Sequence, residues 1–369
     1  MELTWSADQE QYRTSVRAFL ESRAPVARAR EAAQGDVAFD RDVWAAMAGQ
    51  LGAQSLAVPE SLDGAGAGLA EQLIVLEELG RVLYSGPFLS TVISTALLTA
   101  ADDRVAATYL PGIADGSVVV VVAEAEGGGF FDLSSLATTV TTLDGSLQVS
   151  GIKTYVLDAA AADVFLVTAQ SPDGPVVVAV DARSDKVRVV EVQTLDRTRR
   201  LSTVTFDGAA GTLVAGAEMV SAVVKRARDT AIAGLGAEQL GAADRCLQMI
   251  VDYTSVREQF GRPVGSFQAL KHRCADILTN VEAARSAVLY AAWAATDQPE
   301  DLGLAARVVG AHNSATLLQS AQECVQMHGG IGFTWEHDAH LYLRRAKSSH
   351  VLFGAPVDHR ARLADLIQL

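Results

Sequence analysis

Two short stretches of the sequence carry residue types that bind phosphate and stack on a base. The first is Arg257, Gln259 and Phe260, at the end of an apolar-striped segment that breaks at Gly261-Arg262-Pro263. The second reads Gln326-Met327-His328-Gly329-Gly330-Ile331-Gly332-Phe333. Arginine binds phosphate through paired hydrogen bonds, and its neighbouring ring can stack on a base. These residue types therefore suit a ligand that contains phosphate and adenine.

The composition predicts a globular protein with more than one structural region. The chain has 369 residues, of which 49% are apolar, and a formal charge of −14. An acidic chain lacks the basic patch that nucleic acid or an anionic membrane surface requires. The N-terminal residues Met1 to Trp5 show no basic segment followed by an apolar one. We therefore expect a cytoplasmic protein without nucleic-acid or membrane partners.

No metal site is expected. Cys246, Cys274 and Cys324 fall on the apolar stripes of predicted helices, which indicates reduced core thiols rather than a disulfide or metal framework. The segment Glu336-His337-Asp338-Ala339-His340 has a spacing that could bind metal, but no third ligand cluster accompanies it. A polar turn between helices is the better interpretation.

Helical periodicity dominates the N-terminal third. Ser6 and Gln9 form a capping-box pattern, and predicted helices follow at 40–51, 69–82 and 88–100. The glycine-rich segment 62–68 resembles a nucleotide-binding loop only superficially, because no strand precedes it. We predict an N-terminal helical domain over residues 1–112.

The pattern changes to strands after Gly116. Short β-branched runs occur at 117–122, 176–180, 187–190 and 202–206, with turn signals such as Leu143-Asp144-Gly145-Ser146 between them. No segment of helical length separates them, which favours antiparallel pairing and argues against a nicotinamide-binding parallel sheet. We predict a central antiparallel β-barrel or sandwich over residues 113–212.

Long apolar seams return at Gly216 and continue to the C-terminus. Apolar residues recur three and four apart from Phe267 to Val288 and again from Leu304 to Leu318. This pattern predicts a four-helix bundle over residues 213–369, whose helices bury faces against one another and against another chain.

The order and phrasing of these segments resemble the acyl-CoA dehydrogenase family of flavoenzymes. The resemblance is carried by R-x-Q-F-G at Arg257 to Gly261, P-x-x-x-F-Q at Pro263 to Gln268, and Q-x-x-G-G-x-G-F at Gln326 to Phe333. Family phrasing is also present between Phe39 and Val82, so the resemblance covers nearly the whole chain.

The resemblance implies an FAD that is shared across a subunit interface. The two motifs of that family grip the adenosine diphosphate end of FAD bound mainly by a neighbouring chain. Arg257 would pair with the pyrophosphate, and Phe260 would pack on the adenosine side. The other residues assigned to this grip are Gln259, Gln326, Gly329 and Gly330. His328 would either touch the nucleotide or pack in the turn.

The flavin-facing half of the family pattern is altered. The family's T-E-P-x-A-G-S-D-like stretch corresponds to Ala123–Asp132, which carries no hydroxyl from Ala123 to Phe131. The family's W-I-T-N reads Tyr155-Val156-Leu157-Asp158, and Leu157 has no group that could donate a hydrogen bond to flavin.

Neither position at which the family places its catalytic glutamate holds a carboxylate. Aligning Arg344-Arg345-Ala346-Lys347 with the family's R-D-A-K places Phe353 at one position, and counting back from Arg257 places Ala231 at the other. Glu238 is a weak candidate for a relocated base, although a solvated or interface glutamate is the better interpretation.

The resemblance thus points to the non-catalytic chain of an actinobacterial heteromeric (α2β2) acyl-CoA dehydrogenase. A related partner chain would supply the base and bind the acyl-CoA, including a steroid side-chain CoA ester, and an electron-transfer flavoprotein would accept the electrons. Two alternatives stay open: a self-sufficient homo-oligomeric dehydrogenase or oxidase that uses Glu238, and a structural protein on this fold that binds no flavin.

Overall fold

A computed structural model describes residues 4–35, 39–129 and 131–369. Its contacts group the chain into two compact units. We call Met1–Gln34, Leu69–Tyr84 and Ile232–Leu369 the helical unit, and Gly35–Gly68 with Ser85–Ala231 the barrel unit. The boundaries at 112 and 212 remain a prediction.

The N-terminal third is helical, as predicted. Ser6 and Gln9 form the expected capping box, with reciprocal hydrogen bonds of 2.9 and 3.2 Å. The segment predicted at 40–51 continues from an α-helix into a π-helical turn, Met47–Leu51, which ends at Gly52 in the left-handed region. The α-helices described here are α1 Ala7–Arg23, α2 Val26–Gln34, α3 Arg41–Ala46, α4 Leu69–Arg81, α5 Phe88–Thr99 and α6 Asp103–Ala114.

Seven strands build the sheet of the barrel unit. They are β1 Val120–Ala123, β2 Thr139–Leu143, β3 Ser146–Leu157, β4 Val164–Ser171, β5 Gly174–Asp181, β6 Val187–Glu191 and β7 Leu201–Ala215. The pairings β4–β2–β3–β7–β5–β4 close on themselves, which forms the predicted barrel. Its buried side chains are mostly apolar, and Phe165 and Phe206 meet edge-to-face at 5.9 Å.

The strand predictions were incomplete. The first strand begins at Val120 rather than Ser117. Strands β2, β3 and β4 were not predicted, although the turn at Asp144-Gly145 that joins β2 and β3 was. The sheet is not purely antiparallel, because β1–β4 and β2–β4 pair in parallel. The β2–β3 hairpin itself supplies the long connection that lets β4 return parallel to β1.

Three long helices and two short ones form the C-terminal region. They are α7 Val220–Val256, α8 Gln268–Asp297, α9 Leu302–His328, α10 Ala339–Ser349 and α11 Pro356–Leu366. Within the helical unit α9 contacts α8, α10 and α11. Glycines set how closely the helices approach. A Cβ atom on Gly236 of α7, for example, would lie 1.9 Å from Val309 Cγ1 of α9. The chain thus has the predicted helical, barrel and helical order.

Candidate functional site

The first motif forms a tight hairpin beyond the end of α7. Its strands are β8 Glu258–Gln259 and β9 Arg262–Pro263. Phe260 and Gly261 form the turn with φ of 54° and 76°, a conformation typical of two-residue hairpin turns with glycine second. The Phe260 ring is 91% exposed. Arg257 and Gln259 are exposed as well, so all three predicted binding side chains face solvent.

The second motif lies at the end of α9. Gln326, Gly329 and Gly330 are exposed. Gly329 ends the helix with φ 61° and ψ −140°, a combination that side-chain-bearing residues rarely adopt. A Cβ atom added to either glycine would meet nothing within 4 Å. The backbone here is therefore open to the close approach of a ligand.

Aromatic stacking connects the two motifs inside the helical unit. The ring of Tyr253, one helical turn before Arg257, lies 4.5 Å from the ring of His328, which follows Gln326 by two residues. His328 is only 3% exposed, and its Nδ1 donates to the Cys324 carbonyl oxygen at 2.7 Å. His328 therefore packs between elements and positions the motifs. Sequence reasoning did not identify Tyr253.

The donors at this end of the helical unit suit a nucleotide diphosphate. Arg257 provides a guanidinium, Gln259 and Gln326 provide amides, and Gly329 and Gly330 provide accessible backbone. Guanidinium and backbone N–H groups are the usual partners of phosphate oxygens. Phe260 adds an exposed ring for a base or ribose. The residues present therefore fit the adenosine diphosphate end of FAD.

The three cysteines are free thiols. Cys246 and Cys324 are buried as expected, whereas Cys274 is only half-buried because its part of α8 is largely exposed. A hydrogen bond from Cys246 and the nearby His328 lower the pKa of Cys324 to about 6. The Cys324 thiol packs against Cys246 and His328.

The segments that correspond to the family's flavin-facing residues make ion pairs within the barrel unit. In the barrel unit Glu124 pairs with Arg228 at 2.8 Å, and Glu126 pairs with the fully buried Lys153 at 2.6 Å. Arg228 also stacks over Phe131 at 4.5 Å. These ion pairs hold Glu124 and Glu126 against the barrel. Leu157, which corresponds to the family threonine, is buried.

The Glu126 pair predicts a specific acid sensitivity. Burial alone would raise the pKa of Glu126, but hydrogen bonds from Lys153, Ala137 and Thr138 outweigh it and lower this pKa to about 2. A carboxylate whose pKa is lower in the folded state stabilises the fold above its unfolded pKa of 4.5. Its contribution fades as the pH falls from 4.5 towards 2.

We therefore expect Glu126→Gln to lower the denaturation midpoint at pH 7 and at pH 5, and to lower it progressively less at pH 4 and below. Chemical denaturation of both proteins across this pH series measures the difference. A constant difference at every pH would show that the carboxylate charge does not contribute.

The structure shows how the candidate base positions are occupied. Phe353 is half-buried, and Ala231 is 1% exposed on α7. Glu238 is 6% exposed and pairs with Arg345, whose guanidinium also donates to the carbonyl oxygens of Leu83 and Tyr84 at 3.3 and 3.4 Å. The expectation of a solvated or interface Glu238 is wrong, because this carboxylate is the buried counter-ion of Arg345.

The other polar segment forms a local turn. Asp338 pairs with Arg30 of α2, and His337 Nδ1 accepts the Ala339 N–H at 3.1 Å. Among the described residues, no three His, Cys, Asp or Glu side chains are placed to hold a metal. No described helix is long and apolar enough to cross a bilayer.

Comparison with known proteins agrees with this architecture. Residues 6–117 match the acyl-CoA dehydrogenase N-terminal domain, and residues 221–365 match the acyl-CoA dehydrogenase C-terminal domain. The chain therefore belongs to the acyl-CoA dehydrogenase family, whose members are oxidoreductases that generally bind FAD.

Several known proteins are similar to this chain over nearly their whole length. Acyl-CoA dehydrogenase IpdE2 of Mycobacterium tuberculosis is 35% identical over 98% of each chain. A variant of the Tcur3481–Tcur3483 steroid ACAD is 30% identical over 98% of each chain, with a TM-score of 0.88. The ChsE4–ChsE5 complex from Mycobacterium tuberculosis is 27% identical, covers 100% of this chain and 99% of the other, and has a TM-score of 0.89.

Proposed function

We propose that this chain is the non-catalytic subunit of a heteromeric acyl-CoA dehydrogenase and grips the adenosine diphosphate end of an FAD shared with its partner. One observation carries the proposal. The residues that suit the nucleotide are complete and exposed, whereas Phe353 and Ala231 occupy the base positions. The similarity to the ChsE4–ChsE5 complex and to the Tcur3481–Tcur3483 steroid ACAD supports a partner chain and a steroid side-chain CoA ester as substrate.

Exposed apolar side chains around the two motifs support a protein interface at this site. Val256 is 76% exposed, Phe260 91%, Phe333 81% and Trp335 52%. Monomeric proteins seldom leave contiguous large apolar groups in water. A partner chain that covers this surface would bury them and bring its own flavin site next to Arg257.

In this arrangement the site residues of this chain bind the cofactor and do not take part in the chemical step. Arg257 would pair with the pyrophosphate, Gln259 and Gln326 would offer amide hydrogen bonds to the nucleotide, and the backbone of Gly329 and Gly330 would leave room for the phosphates. Bound FAD supplies hydride acceptance during α,β-desaturation of the acyl-CoA thioester. The partner provides the carboxylate that removes the α-proton, binds the acyl-CoA, and passes electrons to an acceptor such as an electron-transfer flavoprotein.

Arg257→Ala in the co-purified complex is expected to weaken FAD binding by about tenfold or more, because a charge-assisted pair with phosphate is lost. Flavin absorbance per complex after extensive dialysis measures this. Arg262→Ala is the matched control, because it also removes a cation from this hairpin. The Arg262 guanidinium stacks on the Phe267 ring at 4.1 Å. If both variants, or neither, lose FAD, the assignment of Arg257 is incorrect.

Glu238→Gln separates the proposal from a self-sufficient enzyme that uses Glu238 as its base. We expect the variant to lose about 3 kcal/mol of stability, because Arg345 would keep a buried charge without its counter-ion. We also expect whatever complex still folds to retain dehydrogenation. A variant with an unchanged denaturation midpoint and no activity would favour the rival. A chain that binds no flavin even with its partner would favour the structural alternative.

A further inference from the structure

The barrel unit contains a groove that the proposed FAD grip does not use. It has a volume of about 510 Å³ and lies between α6, the start of β4, the end of β5 and the middle of β7. We call it the α6–β5 groove. Ligand pockets for small molecules have volumes in this range. The groove is walled by Tyr109, Val118, Asp163, Val164, Asp181 and Arg183, among others.

The floor of the groove is rigid. Gly211 of β7 pairs with Val180 of β5, and a Cβ atom on Gly211 would lie 2.4 Å from Val178 Cγ1. The strands therefore lie in tight contact, and Ala210 and Gly211 line the groove. Val118 and Val164 add apolar walls that suit a hydrocarbon stem.

The polar groups of the groove leave an unbalanced negative charge. Asp163 accepts the Val119 N–H at 3.0 Å and pairs with Arg183 at 2.5 Å, so its charge is compensated. One Asp181 oxygen accepts the Arg183 backbone N–H at 2.8 Å. Among the described residues, the other Asp181 oxygen has no hydrogen-bond partner. Two carboxylates and one guanidinium give the groove a net charge of 1 − 2 = −1.

Tyr109 lines the same groove as Asp181. Burial, and then the charge of Asp181, raises the pKa of the Tyr109 phenol, which therefore stays neutral. A neutral phenol oxygen and a carboxylate are both acceptors for an ammonium group. An anion would meet the Asp181 charge, and Arg183 is already bound to Asp163.

We propose that the α6–β5 groove binds a small aliphatic primary amine, whose ammonium pairs with Asp181 and Tyr109 while its stem lies along Val118 and Val164. Asp181 is at the exposed rim, so the attraction is screened by salt and the affinity is modest.

Calorimetric titration of the full chain with 1-aminopentane tests this. We expect saturable 1:1 binding at low salt that weakens in about 0.5 M NaCl. Asp181→Asn should weaken binding by about tenfold. Tyr109→Phe should weaken it less. Asp185→Asn, which removes an exposed carboxylate outside the groove, should leave binding unchanged.

Pentan-1-ol and pentanoate complete the design, because they keep the stem and replace the cation with a neutral or anionic group. The proposal is overturned if the amine gives no saturable heat, if Asp181→Asn binds like the wild type, or if pentanoate binds as well as the amine. Matching denaturation midpoints of the variants show that a loss of binding is not a loss of fold.

Discussion

Replacing Glu78 with alanine is expected to lower the thermal midpoint of the helical unit by roughly 10 °C, which corresponds to about 3–5 kcal/mol for breaking a buried ion network. The Glu78 side chain is 1% exposed and receives two hydrogen bonds from Arg17, at 2.8 and 2.7 Å. Its removal would leave Arg13 and Arg81 inside the unit with fewer counter-ions.

The network around Glu78 explains this size of effect. Glu77, beside it on α4, pairs with Arg13 of α1 at 2.7 Å and with Arg285 of α8 at 2.8 Å. Asp244 of α7 accepts from Arg81 and Arg285. These charges therefore connect four helices, and removal of one carboxylate affects several contacts at once.

Glu282→Ala is the matched control for Glu78→Ala. Glu282 also pairs with Arg285, at 3.4 Å, but its side chain is 57% exposed. Exposed pairs contribute about 0–1 kcal/mol, so the midpoint should move by only about 2 °C. Thermal unfolding followed by circular dichroism compares the two variants. Equal shifts would show that burial does not increase the contribution of the ion network to stability.

Gly241→Ala is expected to cost at least about 3 kcal/mol, because the new methyl group would force α4 and α7 apart. A Cβ atom on Gly241 would lie 1.7 Å from the Glu77 carbonyl oxygen. Gly80 makes the reciprocal contact, 2.0 Å from the Glu238 carbonyl oxygen. Each helix therefore presents a glycine to the backbone of the other, and neither backbone can move without opening the core.

Gly216→Ala provides the comparison, since its Cβ atom would meet nothing within 4 Å. This variant should unfold at nearly the wild-type midpoint, while Gly241→Ala should give a lower midpoint or little folded protein. A Gly241→Ala protein with wild-type stability would mean that the helices separate without cost at this crossing.

The elements that could be predicted from sequence are those with strong local periodicity. The capping box at Ser6, the amphipathic helices and the valine-rich strand β5 follow from residue spacing. Strand β3 was missed because it alternates irregularly and contains Gly151 and the buried Lys153, whose charge is acceptable only beside Glu126. Such pairing between distant residues is not visible in a local pattern.

The candidate site also combines features that local sequence predicts with features that depend on packing. Arg257 and Gln326 stand in short motifs that could be recognised locally, and their exposure agrees with a binding role. The Tyr253–His328 contact that joins the motifs, and the Arg345 partner of Glu238, depend on how α7, α9 and α10 pack. Arg345 lies in the recognisable Arg344–Lys347 run, but its buried partner is visible only in three dimensions.

Flavin absorbance of the chain purified alone and purified with its related partner chain tests the shared-FAD proposal most directly. We expect the chain alone to be colourless, and the complex to be yellow and to bleach when acyl-CoA is added. Arg257→Ala in the complex should remove much of that colour. A yellow homo-oligomer that bleaches with acyl-CoA in the absence of any partner would contradict the proposal.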